Sequence, residues 1–204
     1  MDCLEPDLFQ YPDTQGVRSF REEIAKFLTD YARATKELRP EHITVMNGCC
    51  AVFATLSTVL CDPGDGYLIP APHYGGINSK MWLYGGLQPV HVPLSSEVTN
   101  EESHPFQLTA EKLEAALQRA EKQGIRVRVL VLINPNNPLG DIYPAQLLKE
   151  CLEFAHRFEP WRYLLGVQFS IMQCSDEEKP PLLSPVLCGC SEEVACRGLS
   201  LAFV

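Results

Sequence analysis

The chain has 204 residues, 46% of them hydrophobic and 21% charged, with a net charge of −9 and an isoelectric point near 5.0. That length suits one domain or one and a half, and the apolar content supports a globular core rather than a disordered chain. The acidic balance, without a basic block, argues against nucleic acid and anionic membranes as partners.

No apolar run reaches the roughly 18 residues of a membrane span. Met1 to Asp7 shows neither the basic flank nor the apolar stretch of a secretory signal. Nine cysteines without such a signal are expected as thiols in a reducing cytoplasm, which is the expected location. Cys174, Cys188, Cys190 and Cys196 crowd the C-terminal end, but they form no paired C-x-x-C and have no histidine nearby. A zinc site there is therefore the weakest reading.

Val17, Phe20, Ile24, Leu28 and Tyr31 recur at three- and four-residue steps, which predicts an amphipathic helix over residues 17–33. "HITVMNG" reads as a short strand ending at Gly48, and "CCAVFATLSTVL" as a largely buried helix. "DPGD" (62–65) is turn chemistry, "GYLIPAP" a strand, and "QPVHVPL" a strand whose prolines suit an edge. Thr109 is placed to N-cap a helix running to Gln123, with Gly124 as its C′ residue. "RVRVLVLI" is a buried strand, and Pro144 opens a further helix. Strands alternating with helices predict an α/β fold with a mainly parallel sheet flanked by helices. After Arg157 the pattern changes. Residues 163–171 read as one half-buried strand, and the Pro-, Ser- and Cys-rich remainder as weakly ordered.

Ligands of open α/β sheets bind beyond the carboxyl ends of the strands. Three such ends stand out. At Met46 to Ala51 a strand turns through Gly48 straight into a helix, whose unpaired first N–H groups suit a phosphate; an ordinary βα turn explains the same residues. A P-loop is excluded by the absence of its glycine–lysine pattern. At Ala71 to Gly76, Tyr74 could stack on a planar ring or simply pack at the surface. At Asn134-Pro135-Asn136-Asn137-Pro138-Leu139-Gly140, the prolines hold Asn134 and Asn137 extended and aim their amides, which favours a binding site over an idle turn.

Taken in order, "QYPDTQGVRSFREEIAKFL", "NGCCAVFATL", "DPGD" with "LIPAPHY", and "NPNNPLG" resemble the large domain of the class I/II aminotransferases, which depend on pyridoxal 5′-phosphate (PLP). "HPFQLTAEKLEAAL" and "NPLGDIY" bring the resemblance closest to the 1-aminocyclopropane-1-carboxylate synthase-like proteins. The likeness covers about residues 8 to 157. It implies a partial large domain of a fold-type-I PLP-dependent transferase over 1–157, followed by an unrelated, weakly ordered tail over 158–204.

The resemblance also implies residue roles. Gly48, Cys49 and Cys50 match the turn whose backbone amides hold the cofactor phosphate. Tyr74 matches the aromatic residue stacked on the pyridine ring, and Asn137 the amide that bonds the ring hydroxyl oxygen. Tyr11 matches a tyrosine reaching the phosphate of the neighbouring subunit in a dimer. The implied substrates are amino acids.

Cofactor chemistry of this kind needs a Schiff-base lysine and an acid facing the pyridine nitrogen, and in the family both follow the asparagine motif. Downstream of Asn137 stand only Lys149, expected on the solvated face of a helix, and Lys179, in "DEEKPP". Asp176-Glu177 has no strand before it, and the family's small-domain carboxylate-binding arginine has no counterpart. The expectation is a truncated, catalytically incompetent form that either keeps part of the PLP site, pairs with a full-length subunit, or has no function. Loss of later strands would leave an open sheet edge prone to aggregation, unless residues 163–171 supply a substitute.

Overall fold

In the computed structural model the described residues are 10–11, 13–31, 37–98 and 104–157, with the strand segments 163–168, 188–189 and 201–202. The elements in chain order are α1 (Arg18–Tyr31), β1 (Thr44–Val45), α2 (Gly48–Leu60), β2 (Gly66–Ala71), α3 (Gly76–Gly85), β3 (Gln88–Pro93), α4 (Ala110–Lys122), β4 (Val127–Asn134), α5 (Ala145–Arg157), β5 (Tyr163–Gln168), β6 (Cys188–Gly189) and β7 (Leu201–Ala202).

The main sheet runs β3-β2-β4-β5-β6, parallel throughout except where β6 joins β5 antiparallel. Its strands β2 and β4 are near-continuous buried runs because helices cover both of their faces, as a parallel sheet requires. Leu68, Val90, Val92, Leu130 and Leu132 point to one face. There they bury against Leu113, Ala116, Leu117 and Ala120 of α4 and Leu148, Cys151 and Phe154 of α5. Tyr67, Ile69, Val129, Val131 and Ile133 point to the other face, onto Val52, Phe53 and Leu56 of α2 and Ile77 and Met81 of α3. Each fully buried side chain of this kind contributes about 1.5–3 kcal/mol.

The expected helix over 17–33 forms as α1, and the N-cap at Thr109 is realised: its hydroxyl accepts from the Lys112 N–H at 3.3 Å. Gly124 takes φ +74°, as a C′ glycine does. "QPVHVPL" forms β3, the edge strand of this sheet.

Two expectations change. The strand read from "HITVMNG" shrinks to the two residues of β1, because Pro40–His42 form a 3₁₀ turn just before it. Helix α3 was not anticipated. Its sequence, "GINSKMWLYG", has apolar residues on several sides and glycine at both ends, so no helical period stands out. It forms because Ile77 and Met81 bury against the sheet and Gly85 meets Ser57 of α2, with no room for a Cβ. The strand read from residues 163–171 is present as β5, so β4 is not an open edge. β5 pairs with it over six positions, from Val129↔Tyr163 to Asn134↔Gln168. The segment expected to reach residue 171 is described as a strand to Gln168. Most of the remaining tail, including the cysteines at 174, 190 and 196, lies outside the described residues.

Candidate functional site

Parallel pairing aligns the ends of the strands. From the Leu68↔Leu130 pair, β2 continues to Ala71 and β4 to Asn134, so both leave the sheet within a residue of the same level. Tyr74 follows β2 and Asn137 follows β4, and these strands are neighbours, about 4.8 Å apart. Helix α2 returns to the start of β2 through the Asp62–Asp65 turn, so it runs antiparallel to the strands. Its 13 residues span about 20 Å, about the length of six-residue β2, which puts Gly48 toward the same C-terminal rim.

At that rim Gly48 takes φ +76°, a conformation suited to glycine, with nothing within 4 Å of where a Cβ would stand. Asn47 occupies the cap position, yet its side chain makes no capping bond. The Gly48 N–H, expected at the phosphate, instead donates to the Met46 carbonyl at 2.8 Å and closes the turn, so the N–H groups of Cys49 and Cys50 are the ones that face an external acceptor at the positive end of the helix dipole. Cys49 turns into the core beside Met46, and burial, then the neighbouring Cys50, raises its pKa. Cys50 is exposed. What this turn offers an anion is backbone N–H, which fits a phosphate.

Tyr74 is half-exposed, and its ring lies over Gly76 at the start of α3. His73, beside it, has Nδ1 3.1 Å from the Tyr74 carbonyl oxygen.

The asparagine motif divides its labour. Asn134 does not aim its carbonyl oxygen at a ligand, contrary to expectation: that oxygen accepts from the Tyr143 N–H at 2.9 Å. Asn136 is buried and staples the loop. Its Oδ1 accepts from the Leu139 N–H at 3.1 Å, its Nδ2 donates to the Tyr143 hydroxyl at 3.3 Å, and its backbone bonds Asp141 and Gly140. Burial raises the pKa of Tyr143, the Asn136 bond opposing it, so the phenol stays protonated as a fixed partner. Asn137 is the exposed asparagine of the three, at the rim. Sequence reasoning missed Asn136 and Tyr143, whose roles depend on a nine-residue loop folding back on its own start.

Tyr11 does not join the others. It is fully exposed, and a residue meant for a neighbouring subunit's site would be exposed in a single chain. Arg21, also missed, anchors its segment. It is 4% exposed, donates to the Gly16 and Pro40 carbonyls and to Gln15 Oε1, each at 3.0 Å, and pairs with Asp13 at 2.7 Å. Lys149 stands on the solvated face of α5, 3.9 Å from Glu153, as expected. An open groove of about 500 Å³ between α2 and α3 includes Cys50, Lys80 and Tyr84 but neither Tyr74 nor Asn137. Among the described residues no helix is long and apolar enough to cross a membrane, and no group of three or more His, Cys, Asp or Glu could hold a metal ion.

A protein-family model described as "Aminotransferase class I and II" matches residues 4–163. The chain belongs to that aminotransferase family. Over 156 residues it is 54% identical to "1-aminocyclopropane-1-carboxylate synthase-like protein 1" of Bos taurus, covering 76% of this chain and 31% of the relative. Over 158 residues it is 54% identical to "Probable inactive 1-aminocyclopropane-1-carboxylate synthase-like protein 2" of Homo sapiens, covering 78% and 28%. Identity to "1-aminocyclopropane-1-carboxylate synthase 6" of Arabidopsis thaliana is 32% over 150 residues, covering 74% and 29%. The chain therefore spans less than a third of the length of these curated relatives. Among solved structures, an archaeal alanine:glyoxylate aminotransferase matches with TM-score 0.64 and 25% identity, covering 80% of this chain and 37% of that one. The aspartate aminotransferase of Rhizobium meliloti matches with TM-score 0.62 and 27% identity, covering 77% and 35%. The fold is thus a partial span of a fold-type-I aminotransferase, and the family implies PLP as cofactor.

Proposed function

We propose that this chain carries the phosphate- and ring-binding half of a PLP site of the 1-aminocyclopropane-1-carboxylate synthase-like kind, and that these 204 residues alone do not turn over an amino acid. The observation that carries the reading is the shared rim: an uncapped helix start at Gly48, an aromatic ring at Tyr74 and an exposed amide at Asn137 all follow strands or precede helices at one end of one sheet. The N–H groups of Cys49 and Cys50 would hold the phosphate, with Gly48, whose own N–H donates to the Met46 carbonyl at 2.8 Å, setting the turn; the Tyr74 ring would cover the pyridine face, and Asn137 Nδ2 would donate to the ring oxygen. PLP, when bound, supplies an electron-accepting ring to amino acids. Downstream of Asn137 the lysine among the described residues, Lys149, is committed to the outer face of α5 and does not serve as a covalent anchor; Lys179 lies outside the described residues.

The test is titration with PLP followed by borohydride reduction and intact mass. The expected result is saturable, phosphate-competed binding without a stoichiometric reduced adduct. A stoichiometric adduct would sink the non-covalent reading, and binding unaffected by competing phosphate would sink the half-site.

A second reading, pairing with a longer chain of the same family, is favoured by Tyr11. Its full exposure leaves it free to complete a partner's phosphate site. Co-purification with such a chain, lost on Tyr11→Ala, supports pairing; a monomer indifferent to that chain opposes it.

A further inference from the structure

One pair of side chains is unused by the site as described. His73 and His91 stack with ring centroids 5.3 Å apart and planes 27° from parallel. They come together through the sheet: β2 and β3 pair so that His91 is opposite Ile69, and the strands stay in register to Ala71↔Pro93, just before His73. His73 is half-buried, while His91 lies on an exposed edge strand, on the face opposite Val90 and Val92.

We propose that the stacked His73–His91 pair positions the Tyr74 segment at the rim and releases it when both rings are protonated. The reading rests on the half-site proposed above and assigns it a pH-dependent regulator. The mechanism is local. The His73 Nδ1–H donates to the Tyr74 carbonyl at 3.1 Å, so the imidazole that holds the loop is the one stacked on His91. With one ring neutral, stacking and the hydrogen bond coexist. With both rings charged, two cations face each other at 5.3 Å, and the repulsion drives the His73 ring, with the Tyr74 carbonyl it still holds, away from His91.

The surroundings offer little to offset that repulsion. The titratable groups of α3, Lys80 and Tyr84, line the groove toward α2. From β2 the register partner is the uncharged Ile69. From α4 the group that reaches β3 is Arg119, itself a cation, which donates to the His91 carbonyl at 3.2 Å. Partial desolvation, then the neighbouring His73, lowers the pKa of His91 below the ordinary 6.5. A depressed histidine pKa means that the unfolded chain binds the proton more readily. The arrangement is therefore stable above the ordinary histidine range and weakens as pH falls through it.

The experiment is a pH titration of the cofactor-free protein by proton NMR, following the imidazole and Tyr74 ring signals, with His73→Gln and His91→Gln for assignment. His91 is exposed, so its replacement leaves the fold intact, and the wild-type titration needs no variant. The expected result is a Tyr74 ring shift that follows the histidine midpoint in the wild type and is absent in His91→Gln. PLP binding is then compared at pH 7.5 and 5.5 in both proteins, so that titration of the ligand's own phosphate cancels. The wild type should lose about fourfold more affinity than His91→Gln, the repulsion of two unit charges at 5.3 Å in water. A Tyr74 signal indifferent to the histidine midpoint overturns the proposal. A moving Tyr74 signal in a protein that binds no PLP at either pH supports the coupling and sinks the half-site reading instead.

Discussion

The Tyr74 ring lies across Gly76: a Cβ on that glycine would stand 2.5 Å from Tyr74 Cε1 and 2.8 Å from its hydroxyl. Gly76 begins α3, where alanine would raise helix propensity. The glycine therefore serves the ring rather than the helix. Gly76→Ala is expected to leave far-UV circular dichroism unchanged while displacing Tyr74. Tyr74→Ala removes a stacking surface of about 0.5–1.5 kcal/mol. Both should weaken PLP binding by about 2- to 10-fold in a fluorescence titration.

Asn136 makes the loop that carries Asn137. It is 5% exposed and bonds Leu139 and Tyr143 through its side chain. Asn136→Ala leaves a buried phenol and an N–H without their partner, at a cost of about 1–3 kcal/mol. Denaturant melts should show that loss. Asn137→Ala, at an exposed position, should leave stability within about 0.5 kcal/mol while reducing PLP affinity. Equal destabilisation by the two substitutions would contradict this division.

Arg21 is a buried cation whose partners are three backbone or amide oxygens and the Asp13 carboxylate. Arg21→Ala should cost about 2–4 kcal/mol, because buried hydrogen-bonding groups lose a charged donor. In a thermal scan that corresponds to a Tm lower by roughly 4–16 °C for a chain of this size. Because Asp13 follows the Tyr11 segment, the same substitution should also weaken any pairing that depends on Tyr11.

Cys50, Cys61 and Cys151 should separate by reactivity. Cys50 is exposed, whereas burial pushes Cys61 up to about 11 and Cys151 up to about 12. At pH 8 iodoacetamide should label Cys50 in the native protein and reach Cys61 and Cys151 only on unfolding. The same shifts make stability alkali-sensitive. A thiol whose folded pKa is raised keeps its proton longer in the folded state, so stability is full below pH 9 and falls as pH rises from there toward 12. A melting temperature that stays level across that window would contradict the burial of these thiols.

The sequence by itself determined the α/β alternation, the cap at Thr109 and the βα turn at Gly48, and it pointed to the rim residues proposed for a PLP site. These are local signals: hydrophobic period, turn chemistry and proline-restricted backbone act over a few residues. Tertiary structure decided the rest, because each remaining feature joins residues that no single helical or strand period connects. Helix α3 exists because the sheet and Ser57 leave room for it, β5 closes the edge of β4, Asn134 is spent on Tyr143, Arg21 reaches back to Asp13 and forward to Pro40, and His73 meets His91 across two paired strands.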